Sequence, residues 1–293
     1  MKIVHRTNAK EQGAAAHRRG GLNFRYLLDG DPDASDNYSL FIVEFSDEYS
    51  TPRHRHNFEQ IRVMLEGSFS FGPGQIQKEG SVGYFAEGGY YTQQGVGSSR
   101  TLILQVGGPS GAGFMSHDIL RKGGDELAKV GSFVDGVYTW RDVHGQKHNS
   151  DGYEAVWEHV HGCPVAYPEP RYADPVIMNP EAFSYLAVDG CPDVEMRNLG
   201  RFHERGLEIR QLKMATGSSY EFEALERGWL FFALSGEGRC CGEPWGAESA
   251  FSIQQGETVQ IECAQDGEFY LFGLPAFNEL ANGPRPSDGH GRA

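Results

Sequence analysis

The sequence predicts a mainly β protein in which two similar β barrels are joined by a short, partly helical insert. Three observations support this fold class. The 293 residues include 39 glycines and 12% aromatic residues, a composition typical of turn-rich β proteins. Short apolar runs separated by turn residues fill two stretches of the chain. VMLEG (63–67) resembles FALSG (232–236) at an offset of 169 (232 − 63), and YFAEG (84–88) resembles SIQQG (252–256) at 168 (252 − 84), which indicates a duplicated domain.

The apolar runs predict the individual strands. Those of the first stretch are YSLFIVEF, QIRVML, SFSFG, SVGYF and RTLILQV, and the gaps between them contain turn formers such as GPGQ and GVGSS. The second stretch covers about 205–275 and contains LEIRQLKM, GWLFFALSGEGRCC, SAFSIQQG, TVQIECA and EFYLFGL. This spacing of short strands is typical of a sandwich or barrel.

The chain between these stretches changes to a helical period. Segment 151–161 has four apolar residues at i, i+3, i+4 and i+7: Tyr153, Val156, Trp157 and Val160. Asp151 is placed to cap the start of this helix, and Gly162 marks its end. An earlier segment is predicted to begin with a Ser116 cap and to divide into two short helices at Gly123-Gly124.

Five regions follow from these patterns. They are a flexible arm (1–20), an N-terminal barrel that carries the chemistry (21–112), a helical insert and linker (113–185), a degenerate C-terminal barrel (186–278) and a disordered tail (279–293).

Charge and cysteine content exclude several classes of protein. The 26 Lys and Arg residues against 40 Asp and Glu residues give a formal net charge of −14, which argues against a nucleic-acid-binding or anionic-membrane surface. No run of 18 apolar residues and no signal-peptide pattern is found, so a membrane span is not expected. The five cysteines are an odd number, which favours reduced thiols and a cytoplasmic protein.

The segment PRHRHNFEQ (52–60) is the best candidate for a functional site. Side chains at i and i+2 of a strand point to the same face, so His54 and His56 could chelate one metal ion. Gln60 has the same parity, and a bend after His56 could bring its amide oxygen to the same point. Three ligands that leave coordination positions open are typical of a catalytic rather than a structural metal site. A polar pocket with ordered water is the other interpretation.

Arg62 indicates the chemistry of the ligand. It shares parity with Gln60 and Met64, so its guanidinium is predicted to point into the barrel, where it would need a protein carboxylate or an anionic ligand. Arg62, Met64, Phe69 and Tyr84 are the candidate substrate-binding residues. The pairs His159/His161 and His144/His148 are not expected to form a site, because the first would lie on a helix about 200° apart and the second spans a solvated loop.

These residues give the sequence a resemblance to the cupin superfamily. The first cupin motif, G-x5-H-x-H-x3,4-E-x6-G, is matched by His54-x-His56-x3-Gln60-x6-Gly67, with Gln in place of Glu and Glu48 in place of the first Gly. The second motif, G-x5-P-x-G-x2-H-x3-N, is matched at Gly80 and Gly88. Ala86, Tyr91 and Gly95 replace its Pro, His and Asn.

The resemblance implies two double-stranded β-helix (jelly-roll) barrels, a bicupin, with any metal ion in the first barrel. Tyr91 stands where a cupin has its last histidine ligand. Its phenol could bind the metal, orient a bound water, or mark the loss of metal binding. In the second barrel the histidine positions fall on Glu223 and Leu225, and Gln60 corresponds to Trp229, so this half is expected to be a structural or dimer-forming scaffold.

Two functional classes therefore remain open. The first is a metal-dependent cupin enzyme for a small, acidic organic molecule, with His54, His56 and Gln60 as metal ligands and Tyr91 and Arg62 as catalytic residues. Dioxygenase chemistry with Fe²⁺ is expected first, and a Lewis-acid isomerase or lyase with Zn²⁺, Mn²⁺ or Ni²⁺ is the other form. The second class is a non-catalytic small-molecule-binding bicupin. A homodimer is expected in both.

Overall fold

Two jelly rolls with an insert between them make up the computed structural model, which describes residues 1–13, 15, 21–32, 34, 36–223 and 225–276. The predicted mainly β class is confirmed, although neither jelly roll forms a fully closed barrel. The strands before the insert are β1 Lys2–Val4, β2 Lys10–Gly13, β3 Leu22–Asp29, β4 Tyr38–Phe45, β5 Ser50–His54, β6 Phe58–Gly72, β7 Gln75–Lys78, β8 Val82–Phe85 and β9 Tyr91–Gly107.

The insert and the second jelly roll follow in chain order. The insert contains α1 His117–Leu127, β10 Gly131–Val134, β11 Val137–Arg141, β12 Lys147–Asp151, α2 Gly152–His161 and β13 Val176–Met178. The second jelly roll contains β14 Leu186–Val188, β15 Cys191–Arg201, β16 Glu208–Met214, β17 Ser219–Phe222, β18 Trp229–Ser235, β19 Glu237–Cys240, β20 Glu243–Gly246, β21 Ala250–Ile253, β22 Val259–Cys263 and β23 Gly267–Gly273.

The first jelly roll is built on two long, bent strands. Its sheet has the order β13-β8-β6-β9-β4-β3-β2, with β7 beside β6 and β5 beside β9. The β6–β9 register shifts on both sides of Glu66, and Gly67 has a φ of +73° at this bulge. A Cβ atom at Gly67 would lie 2.7 Å from the Ser98 carbonyl oxygen, so glycine is required where the two strands bend.

The second jelly roll repeats this pairing. Its two sheets have the orders β1-β21-β18-β23-β16-β15-β14 and β17-β22-β19-β20. Gln60 of β6 is paired with Phe85 and Gln105, and Trp229 of β18 is paired with Ile253 and Gly273. The offsets are 169, 168 and 168 residues (229 − 60, 253 − 85 and 273 − 105). The hydrogen-bonded registers thus reproduce the repeat in the sequence.

The two jelly rolls pack face to face, which explains why their central strands are apolar on both faces. Leu40 and Ile42 of β4 belong to a core shared with Leu230 and Phe232 of β18. Phe41, which alternates with them along β4, faces the interior of the first jelly roll instead. A strand buried on both faces reads as a continuous apolar run rather than an alternating one.

The N-terminal segment differs from the flexible arm that the sequence predicted. Strand β1 pairs with β21 of the second jelly roll, and β2 pairs with β3 of the first. Both strands cover sheet edges, which would otherwise expose unpaired backbone groups. The predicted tail (279–293) lies outside the described residues.

The insert confirms one predicted helix and corrects another. Helix α2 begins at its Asp151 cap and ends at Gly162, which has a φ of +66°. Helix α1 runs through Gly123-Gly124 without interruption, because these glycines are buried where α1 meets α2. No helix among the described residues is long and apolar enough to span a membrane.

We expect Gly123→Ala to destabilise the insert. Its Cβ atom would lie 2.7 Å from Val160 Cγ2 and 2.9 Å from Val156 Cγ1. Overpacking of this kind costs about 1–3 kcal/mol, which outweighs the helix propensity of about 1 kcal/mol that alanine adds. Urea unfolding of Gly123→Ala and of Gly123→Ala/Val160→Ala would test this. The double variant should recover most of the loss, and a stabilised single variant would contradict the packing argument.

Candidate ligand-binding site in the first jelly roll

The predicted site residues meet at the junction of three strands. His54 ends β5 and is paired with Tyr91, the first residue of β9. Gln60 and Arg62 are two residues apart on β6, so their side chains point to the same face. His56 lies in the connection between β5 and β6, so the bend that the sequence predicted brings it back to Gln60.

Arg62 lies at the centre of this cluster. Its Nε and Nη2 donate hydrogen bonds to Gln60 Oε1 at 2.9 and 2.7 Å, and Nη2 donates to the Tyr91 hydroxyl at 3.2 Å. The guanidinium carbon lies 4.2 Å from the centroid of the Phe85 ring. Arg62 is 2% exposed, and burial lowers the pKa of its guanidinium, yet arginine remains protonated in proteins.

No ion pair among the described residues includes Arg62. Its Nη1 is buried, and no group in the described part of the chain accepts a hydrogen bond from it. A buried cation without an anionic partner is costly. The first of the two partners that the sequence allowed, a protein carboxylate, is therefore not found among the described residues.

Arg62 also fixes the orientation of the Gln60 amide. A guanidinium is only a donor, so the group facing it must be the Gln60 oxygen. The Gln60 NH₂ group is then turned towards His56 Nδ1 at 3.1 Å and the Tyr91 hydroxyl at 3.0 Å. The oxygen that the sequence analysis assigned to a metal ion is engaged by Arg62.

The hydroxyl of Tyr91 connects the remaining groups. It accepts from Gln60 and Arg62 and lies 2.7 Å from His56 Nδ1. With two donors already pointing at its oxygen, the hydroxyl proton is directed to His56 Nδ1. His56 therefore carries its own proton on Nε2 in this arrangement.

His54 has the opposite tautomer. Its Nδ1 lies 2.8 Å from the carbonyl oxygen of Pro52 and donates to it, which leaves the lone pair on Nε2. A backbone carbonyl that orients an imidazole in this way is common behind metal-binding histidines.

The cluster fits a divalent metal ion poorly. His54 has a suitable tautomer, but the Nδ1 of His56 faces the Tyr91 hydroxyl, and Gln60 presents its NH₂ group. The positive charge of Arg62 is also part of the cluster. Within the described residues, no group of three or more His, Cys, Asp or Glu side chains could hold a metal ion. Metal binding by His54, His56 and Gln60 stays a prediction.

A cavity of about 90 Å³ lies beside this cluster. Arg62, Gln60 and His56 form one part of its wall, and Phe24, Tyr26, Phe41, Phe45, Phe58 and Phe114 supply its aromatic surface. The insert closes the mouth of the jelly roll, since His117, Leu120, Arg121 and Tyr153 also line the cavity. The pocket is thus formed jointly by a jelly roll and the insert.

The other predicted substrate-binding residues lie elsewhere. Met64 and Phe69 are buried behind Arg62 in the core of the first jelly roll. Tyr84 points to the opposite face of the sheet, where its ring stacks on Phe202 of the second jelly roll at 4.0 Å between centroids. Burial raises the pKa of Tyr84. This placement corrects the substrate-binding role assigned to Tyr84, since its pairing with Ile61 puts it in the shared core.

Sequence reasoning missed several polar residues of the cavity, among them Gln105, His117 and Arg121. Gln105 lies on β9 directly opposite Gln60, and His117 Nε2 donates to Gln105 Oε1 at 2.8 Å. Arg121 follows one turn later on α1. Gln105 was detectable as a polar residue inside the apolar run RTLILQV, whereas nothing in the sequence indicates that α1 reaches the cavity.

We expect His117 to make stability depend on pH. Burial lowers its pKa to about 4, with Arg121 adding to the effect and Asp118 opposing it. The unfolded chain, with an ordinary pKa of about 6.5, then binds a proton that the folded chain rejects between pH 6.5 and 4. The stability that comes from a neutral, buried His117 is therefore fully present above pH 6.5 and is lost as the pH falls to 4. In urea unfolding, the free energy of unfolding should fall less between pH 6.5 and 4 for His117→Phe than for wild type. An equal fall in both proteins would contradict this prediction.

Comparison with known proteins rests on structure. No family model matches the sequence, and no curated protein matches it either. A solved structure from Nostoc punctiforme, assigned as a dioxygenase, is 12% identical, with 96% of this chain and 84% of that chain covered and a TM-score of 0.62. Oxalate decarboxylase from Bacillus subtilis is 11% identical, with 93% and 76% covered and a TM-score of 0.57. A bacterial pirin from Escherichia coli in complex with nickel(II) is 12% identical, with 94% and 98% covered and a TM-score of 0.52.

The chain has the bicupin fold. At these identities the likeness concerns the fold alone. Among its described residues the second jelly roll has no equivalent of the cluster, since Trp229 replaces Gln60 in the register and the interior is filled by Phe231, Phe251, Phe269 and Trp245.

Proposed function

We propose that the first jelly roll of this bicupin binds a small organic acid whose carboxylate pairs with Arg62. The observation that carries the proposal is a fully buried guanidinium that lines a cavity, takes part in no ion pair among the described residues and has an unsatisfied Nη1. An anionic ligand would supply the missing charge, and a carboxylate matches the donor geometry of a guanidinium.

The aromatic wall supports an organic rather than an inorganic anion. Phe24, Phe41 and Phe58 surround the space next to the polar cluster, and apolar walls with a few polar groups are typical of small-molecule sites. The cavity volume of about 90 Å³ is below the roughly 150 Å³ of an engineered cavity that holds benzene, so the acid is a short one.

Calorimetric titration of the full chain would test this proposal. Short acids such as propionate and butanoate would be compared with their neutral amides, which have the same shape and no charge. We expect the acids to bind at least tenfold more tightly than the amides, since charge-assisted hydrogen bonds contribute about 1.5–3 kcal/mol. Equal affinities for acid and amide would refute a site based on charge.

A metal-dependent dioxygenase with Fe²⁺ is the second candidate. The tautomer of His54 favours it. The Pro52 carbonyl oxygen accepts from Nδ1 and orients the ring, so that Nε2 carries the lone pair that a metal ion would need. The names of the similar structures, which include a dioxygenase assignment and nickel(II), agree with it. His54 and His56 would hold the ion in this candidate, and a Lewis-acid isomerase or lyase with Zn²⁺, Mn²⁺ or Ni²⁺ would use the same pair.

Removal of metal separates the two candidates. We expect a chelator to leave the binding of short acids unchanged, since the proposed contact is with Arg62. The metal content of protein purified without added metal, and after anaerobic incubation with Fe²⁺, would be measured on wild type and on His54→Ala/His56→Ala. One equivalent of metal that the double variant loses, together with acid binding that the chelator abolishes, would favour the metal-dependent candidate.

We further propose a cytoplasmic homodimer. All five cysteines are free thiols, which agrees with a reducing compartment. The second jelly roll has a filled interior, which leaves a scaffold role for it. Light scattering of the purified protein would give twice the 32.4 kDa chain mass for a dimer.

A further inference from the structure

The cavity has a second polar end, formed by α1. His117 and Arg121 are four residues apart on this helix, so their side chains share one face, and both line the cavity. Leu120 lies between them on the same wall. This end is separate from the Arg62 cluster, which is carried by the β-sheet.

The hydrogen-bonding state of His117 is set by Gln105. With Nε2 donating to Gln105 Oε1, the other ring nitrogen, Nδ1, carries the lone pair of a neutral imidazole. This Nδ1 is buried, and no donor in the described part of the chain reaches it. His117 therefore presents an unsatisfied acceptor.

Arg121 presents the complementary group. Its Nη2 donates to the Gly13 carbonyl oxygen at 3.0 Å, and its guanidinium also interacts with the Tyr26 hydroxyl, while its Nε is buried and has no acceptor among the described residues. An acceptor on His117 and a donor on Arg121 suit a group that both donates and accepts. A hydroxyl group does so, whereas a carboxylate only accepts and would face the lone pair of His117.

The two ends are close. Gln105 accepts from His117 at one end, and Gln60 accepts from Arg62 at the other. The two glutamines are directly opposite each other on β9 and β6, and residues paired in this way have Cβ atoms about 4.5–5.5 Å apart. A ligand that meets both ends is therefore a short molecule.

We infer that the occupant is a short hydroxy acid, with its carboxylate on Arg62 and a hydroxyl group at its other end between His117 and Arg121. This inference rests on the proposed function and adds the second functional group of the ligand. Low pH is expected to weaken recognition of the hydroxyl group, because protonation of His117 removes the acceptor.

The test is calorimetric titration of the full chain with three series of ligands, each of three to five carbons. The series are straight-chain acids, the same acids with a terminal hydroxyl group, and the dicarboxylic acids of equal length. We expect one hydroxy acid to bind about tenfold more tightly than its parent acid and more tightly than the diacid. His117→Phe keeps a ring of similar size and should reduce that preference to less than about twofold. His159→Phe, on α2 and outside the cavity, is the matched control.

Each other outcome has a definite meaning. If parent and hydroxy acids of every length bind equally, or if a diacid binds most tightly, the hydroxy-acid inference is wrong and the Arg62 proposal stands. If no acid binds to wild type, both fail. If His117→Phe still prefers the hydroxy acid over its parent acid, another group binds the ligand hydroxyl, and the assignment to His117 would be overturned.

Discussion

Arg62→Met is expected to weaken acid binding by a factor of roughly 10 to 150 without unfolding the protein. The substitution removes the buried guanidinium but keeps a long apolar side chain between Phe85 and Phe69. The loss of a charge-assisted contact costs about 1.5–3 kcal/mol, a factor of roughly 10 to 150 in affinity. Calorimetry with butanoate would measure it.

The effect on stability distinguishes a ligand-binding role from a structural one. Arg62→Met breaks two hydrogen bonds to Gln60 and one to the Tyr91 hydroxyl, which destabilises, but it also removes a buried cation that has no anionic partner among the described residues, which stabilises. We expect these terms to offset each other to within about 1 kcal/mol in urea unfolding. A loss of several kcal/mol with acid binding intact would mean that Arg62 is a structural residue.

The second jelly roll offers a matched control. Arg197 Nε donates to Gln211 Oε1 at 2.6 Å, and its guanidinium lies over the Tyr185 ring, so it repeats the arginine–glutamine pairing of Arg62 away from the cavity. Arg197→Met should leave butanoate affinity at the wild-type value. A decrease equal to that of Arg62→Met would indicate a general effect of removing positive charge.

His203→Ala is expected to be the most destabilising of the changes considered. His203 Nε2 lies 2.9 Å from Glu59 Oε2, and both side chains are fully buried between the two jelly rolls. The Tyr84 hydroxyl donates to the other oxygen of Glu59, and the backbone NH of Arg205 donates to His203 Nδ1. Removal of His203 leaves the buried Glu59 without its neighbouring imidazole, and breaking such a buried pair costs about 3–5 kcal/mol.

The pair His159–Glu126 provides the control for this prediction. The two atoms are 2.8 Å apart, much as in His203–Glu59, but the side chains are 38% and 43% exposed. Exposed pairs contribute little to stability, so His159→Ala should be nearly neutral. Urea unfolding would compare the two variants with His203→Ala/Glu59→Gln, which should recover part of the loss. Similar small effects at both histidines would show that burial does not strengthen the His203 pair.

The strands were predictable because their pattern is local. The run YSLFIVEF is β4 (Tyr38–Phe45), and the offsets of 168 and 169 residues in the sequence are the offsets of the paired registers. The shared face of Gln60 and Arg62 also follows from the period of strand β6, whereas His54 ends β5 and His56 reaches the cluster from the connection between these strands. Alternation along a strand and turn chemistry between strands act over a few residues, so one sequence suffices to read them.

Tertiary structure decided which partner each polar group has and what covers the barrel. Strand parity predicts that Gln60 points to the interior, but it does not predict which end of the amide faces the cluster. Arg62 determines the orientation, because its guanidinium donates to the amide oxygen. Tyr84 was assigned to the site because the sequence does not reveal that a second jelly roll packs on its face of the sheet. His117 and Arg121 enter the cavity only because α1 docks over the mouth of the first jelly roll. These outcomes depend on contacts between residues distant in the chain, and such contacts are set by the packing of whole elements rather than by local preference.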